Sequence, residues 1–182
     1  MPELSALQTL KISGLTECSD EAVTKLVSAI KHKTVKKLEL SEISLRSTAG
    51  KALGQSLSEL PFLRILKIIG SDGCSLRLAS PLFWFPVLRE LKISGVTEFS
   101  AEAVARLIDV FKNKPLEKLE LSNIHLTSAI AEALGQLLPE VSALQTLKIS
   151  GVAECSDDAV TKLITCYCII RAFCHTTYFQ CL

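Results

Sequence analysis

"SALQTLKISG" occupies Ser5 to Gly14 and returns unchanged at Ser142 to Gly151, 137 residues later. A decapeptide repeated verbatim within 182 residues signals an internal array, so the stretch between the copies should carry the same frame. It does. The pattern L-x-x-L-x-[LI] recurs at Leu7/Leu10/Ile12, Val35/Leu38/Leu40, Leu63/Leu66/Ile68, Leu88/Leu91/Ile93, Leu116/Leu119/Leu121 and Leu144/Leu147/Ile149. Successive first positions lie 28, 28, 25, 28 and 28 residues apart. The frame divides residues 1–164 into six repeats, 7–34, 35–62, 63–87, 88–115, 116–143 and 144–164, followed by a cysteine-rich tail over 165–182.

Each repeat predicts one strand and one return segment. Side chains alternate along a strand, so the fourth and sixth positions of the frame enter a core while the third and fifth face out. No repeat can bury its apolar face alone; stacking the repeats buries it as a parallel sheet, with the returns packed behind. The return after the first strand, "CSDEAVTKLVSAI", reads as a helix. Ser19 is placed to cap it, Asp20 and Glu21 lie in the first turn, and Ala22, Val23, Leu26, Val27 and Ile30 recur at helical spacing. Ala49, Ala52, Leu53 and Leu57 do the same after the second strand. The third repeat is shorter and carries "ASPLFWFP", where Pro81 and Pro86 bracket Phe83, Trp84 and Phe85 and predict a short turn. These aromatics either fill core or form an exposed contact patch.

The alternating frame, the 28-residue step and the run "EALGQLLPEVSALQTLKISG" (Glu132 to Gly151) resemble ribonuclease-inhibitor-like leucine-rich repeats. More narrowly, they are similar to the C-terminal arrays of NOD-like receptors, the NACHT-domain innate immune sensors. The resemblance implies an α/β solenoid, an open horseshoe arc with a parallel β-sheet on its concave face and helices on its convex face. It also implies a non-catalytic protein-binding role. The chain departs from the family frame at the ninth position, often Asn there, where it has Leu15, Ile43, Ser71, Val96, Ile124 and Val152. No G-x-x-x-x-G-K-[ST] phosphate loop occurs, so the chain corresponds only to the repeat region of such a receptor. "MPELSALQTL" aligns with "LPEVSALQTL" at Leu138 to Leu147, and the frame breaks after Ile164; both observations suit a segment of a longer array. An adaptor for ubiquitin ligation, a GTPase regulator and a non-functional gene fragment are the alternative readings.

Composition bounds the chemistry. A net charge of +1 argues against a nucleic-acid partner, which selects a strongly basic face. The longest apolar run near the C-terminus, "LITCYCII" (Leu163 to Ile170), falls well short of the ~20 residues that span a bilayer. No basic leader with an apolar core opens the sequence, and a soluble cytoplasmic protein is expected. Cys18, Cys74 and Cys155 share one slot with Phe99, which reads as a buried apolar slot holding reduced thiols. His32, His125 and His175 share no unit, and no nucleophile motif appears. Cys166, Cys168, Cys174, His175 and Cys181 fit no paired C-x₂-C zinc spacing, so neither metal nor cofactor is expected.

The outward strand positions offer more. The fifth position reads Lys11, Glu39, Lys67, Lys92, Glu120, Lys148, a ladder whose signs alternate except at Lys67–Lys92. Arg64 and Arg89 fall on the same two strands, beside Lys36 and Lys37, and Glu90 offsets them in part. Lys36, Lys37, Arg64, Lys67, Arg89 and Lys92 are therefore either a solvated, self-balancing face or a basic patch for an acidic protein surface.

Overall fold

The computed structural model describes residues 7–14, 20–30, 33–43, 57, 60–70, 87–95, 100–125, 127–137, 140–150, 158, 161 and 176–180. Its centre is one parallel sheet of seven strands in chain order. The strands are β1 (Thr9–Ser13), β2 (Lys37–Ile43), β3 (Ile65–Gly70), β4 (Glu90–Ser94), β5 (Lys118–Ser122), β6 (Thr146–Ser150) and β7 (Thr176–Gln180). The helices are α1 (Asp20–Ile30), α2 (Ala101–Phe111) and α3 (Ser128–Leu137). Strands that pair with their chain neighbours in one direction need a crossover each time; α1 supplies it between β1 and β2, α2 between β4 and β5, and α3 between β5 and β6. The molecule is thus a leucine-rich-repeat solenoid.

The register follows the sequence frame position by position. Leu10 stands opposite Leu38, Leu38 opposite Leu66, Leu66 opposite Leu91, Leu91 opposite Leu119, and Leu119 opposite Leu147. A one-residue slip would turn this apolar column to the other face, so the leucines themselves fix the pairing. Leu38, Leu66, Leu91, Leu119 and Leu147 are all buried, and they join the buried faces of α2 and α3 in a single core. Leu107, Ile108 and Phe111 of α2 meet Leu116, Leu119, Val141 and Leu144 in one apolar seam. The amphipathic spacing of α2 produces this contact, and Ser100 starts the helix by accepting the Ala103 amide on its hydroxyl at 3.1 Å. Ile130 donates its amide to the Thr127 hydroxyl at 3.3 Å at the start of α3.

α1 has the span the sequence predicts, with Ile30 buried and Leu26 half-buried, but Ala22 faces solvent. Its expected cap, Ser19, lies outside the described residues, as do Ala49, Ala52, Leu53, the aromatics Phe83, Trp84 and Phe85, and every cysteine. Leu57 is buried.

A backbone device joins the repeats. The carbonyl at the second frame position accepts two amides from the next repeat: Gln8 O takes Lys36 and Lys37, Lys36 O takes Arg64 and Ile65, and Arg64 O takes Arg89 and Glu90, all at 2.8–3.0 Å. At the far end of the strands the eighth frame position turns left-handed at Gly14, Glu42, Gly95 and Asn123, with φ of 77°, 53°, 67° and 50°. The Gly95 amide then donates to Ser122 O and the Asn123 amide to Ser150 O, at 3.1 and 2.9 Å. This answers the missing Asn of the family frame at two of the turns: there the next strand's carbonyl satisfies the turn amide.

Two findings go beyond the sequence frame. The tail supplies a seventh strand, which pairs with β6 in the same parallel register although no leucine frame marks it. Its sequence, TTYFQ, is rich in β-branched and aromatic residues, the types that suit strands. The strands β1 and β6 are identical in sequence but not in environment. Leu147 and Ile149 are 1% and 3% exposed, whereas Leu10 and Ile12 are only half-buried, because among the described residues β6 has a strand on each side and β1 has one.

Candidate protein-binding face

The sheet face opposite the helices presents three columns of side chains, one from each outward frame position. The middle column runs Lys11, Glu39, Lys67, Lys92, Glu120, Lys148 across paired strands. Neighbouring members stand one strand spacing apart, about 4.8 Å, near enough for their charges to matter. Lys11 reaches Glu39 at 3.5 Å. Glu120 is the best-held member, with Lys92 at 2.9 Å and Lys148 at 3.4 Å. Burial pushes its carboxyl pKa upward, but hydrogen bonds and charge from Lys92 and Lys148 outweigh that and hold it below the ordinary value. In a flanking column Lys118 bridges to Glu90 at 3.2 Å, and just before these strands Arg89 pairs with Glu117.

The six cations singled out from the sequence therefore fall on three adjacent strands or on the residue just before them, but split in function. Arg89 and Lys92 are committed to Glu117 and Glu120. Lys36, Lys37, Arg64 and Lys67 have no ion-pair partner among the described residues. Glu39 is the one acid in the outward columns of β2 and β3, and it leans to Lys11. Lys67 and Lys92 stand directly opposite each other in the register, which adds like-charge repulsion at the β3–β4 step.

Sequence reasoning missed two apolar residues on this face, and a third just before it. The outward slots that hold Thr9 and Ser13 in β1, Lys37 and Ser41 in β2, Glu90 and Ser94 in β4, Lys118 and Ser122 in β5 and Thr146 and Ser150 in β6 hold Ile65 and Ile69 in β3. Both isoleucines are half-buried, on the side away from the core leucines. Just before β3, Phe62 is 53% exposed, and it is the only large apolar side chain so exposed among the described residues. The signal was present in "FLRILKIIG", which breaks the serine and polar pattern of its sister strands while keeping the leucine frame.

Among the described residues, no group of three or more His, Cys, Asp or Glu side chains gathers to hold a metal ion. No helix of the described residues is long and apolar enough to cross a membrane.

No protein-family model matches the chain, and no curated protein matches it either. Among solved structures it is similar to the tropomodulin C-terminal domain of Caenorhabditis elegans, at 15% identity and a TM-score of 0.48, over 93% of this chain and 89% of that one. The assignment of the repeat fold rests on the sheet order and its register, described above.

Proposed function

We propose that this chain is a non-catalytic protein-interaction module of a cytoplasmic leucine-rich-repeat protein, which binds through the sheet face opposite its helices. The observation that carries this reading is the uneven charge of that face. Its β4–β6 half neutralises itself, while Lys36, Lys37, Arg64 and Lys67 stand without partners among the described residues. Cations kept unpaired on a rigid sheet steer and orient an acidic partner. The narrower reading is the sensing or autoinhibitory repeat region of a NACHT-type receptor. It is supported by the likeness of "EALGQLLPEVSALQTLKISG" to that family's arrays.

Photo-crosslinking tests the face. A benzophenone amino acid at Ser41 or Thr146, on the open sheet, should yield protein adducts in cells, and the same group at Ser28 or Ala129, on exposed helix positions, should not. Adducts from the helix positions alone would overturn the reading. An in-frame phosphate-loop domain upstream in the transcript would support the receptor assignment, and an F-box there would replace it.

A further inference from the structure

We infer that β3 is the recognition strand of this face, and that its partner is a protein segment combining acidic with apolar side chains. The inference deepens the proposed function and rests on it.

The physical case begins with what β3 lacks. Its sister strands place threonine, serine or charged residues in the outer outward slots, and these cost nothing in water. Ile65 and Ile69 gain nothing from the core, which Leu66 and Ile68 already reach from the opposite side of the strand. They leave apolar area in water on both sides of Lys67, and the exposed Phe62 lies in the turn that leads into the strand. Covering such area favours association by roughly 25 cal/mol per Å². Lys37 of β2 and Lys67 of β3 stand beside this stripe, and Lys36 and Arg64 immediately precede the two strands; none of the four has an acidic partner among the described residues. An apolar anchor beside an arginine, ringed by charge, is the usual make-up of an interface centre. The complement is a segment whose leucine-like side chains cover Ile65 and Ile69 while its carboxylates answer the cations. A protein segment fits better than an anionic membrane. Ile65 and Ile69 lie level with the flanking strands and are half-buried, so they suit a partner that lays side chains onto the sheet rather than a bilayer that must be penetrated.

The test uses the whole chain and four short fluorescent peptides: rich in Glu and Leu, in Glu and Ser, in Gln and Leu, and in Lys and Leu. Only the Glu–Leu peptide should bind well, and salt should weaken it. The double variant Ile65→Thr, Ile69→Ser copies residues that sister strands already carry, so it should fold and melt like the parent while losing at least about tenfold in affinity. Arg64→Gln with Lys67→Gln, which keeps the apolar stripe, should lose a similar factor. Equal binding of the Glu–Ser peptide, full affinity in the isoleucine double variant, or capture by phosphatidylserine vesicles but not by the Glu–Leu peptide would each overturn the inference. Absence of peptide binding alongside open-face crosslinks would also overturn it, while leaving the proposed function standing.

Discussion

Gly95 and Gly14 occupy the same frame position with nearly the same backbone, φ of 67° and 77°, yet substitution should affect them very differently. An alanine in the left-handed region costs about 1–2 kcal/mol at either site. Narrowing the unfolded chain returns about 0.4–1 kcal/mol of that. At Gly14 nothing lies within 4 Å of the added Cβ. At Gly95 the Cβ would stand 2.8 Å from the Gly70 carbonyl oxygen, a backbone atom that cannot rotate aside. The turn after β4 would have to move off β3, at an overpacking cost of about 1–3 kcal/mol. Gly14→Ala should therefore destabilise by about 0.5–1.5 kcal/mol and Gly95→Ala by about 2–4 kcal/mol. Urea unfolding followed by far-ultraviolet circular dichroism reads the difference as a midpoint lower by about 1 M in Gly95→Ala. Asn123→Ala separates the clash from location in the array, because it sits further inside at φ 50° and already carries a Cβ. It should behave like Gly14→Ala. If Gly95→Ala matches either control, the close approach to Gly70 is not what requires glycine there.

Glu42 holds the same left-handed turn with an unsuited side chain, so Glu42→Gly should stabilise by about 0.5–1 kcal/mol in the same assay. Glu120→Gln removes the charge that Lys92 and Lys148 share and should cost about 1–2 kcal/mol at neutral pH. Its folded pKa lies below the unfolded one, so its stabilisation is present above about pH 4.3 and disappears as pH falls through the folded value. The Gln variant should lack that component of acid sensitivity in melts across the range. Phe111→Ala empties a site 1% exposed and should cost about 3–5 kcal/mol, whereas Phe62→Ser should leave the melting temperature within error.

The leucine columns were readable because strand pairing repeats the sequence step: Leu38 faces Leu66 for the same reason that both occupy the fourth frame position. The charge ladder was readable for that reason too. The Arg89–Glu117 pair was not, because both residues lie at the second frame position, outside the ladder that drew attention. Ile65 and Ile69 hid among leucines, since an isoleucine in a repeat reads as core until the alternation assigns it a side. β7 had no leucine signal at all; the edge of β6 supplies its hydrogen bonds, and a sequence pattern does not carry a neighbour's edge. The left-handed column was half visible, in Gly14, Gly95 and Asn123, and concealed by Glu42.

The identity of β1 and β6 reaches into the folding reaction itself. A nascent β5 is offered two indistinguishable claimants for one berth, the nearby Thr146–Ser150 and the distant Thr9–Ser13. The nearer wins on loop closure by only ~1.2 kcal/mol, since the farther lies about two doublings away in chain length. At high protein concentration the claimant can instead arrive from another molecule, so refolding yield should fall with concentration as chains trade these interchangeable segments and interlock.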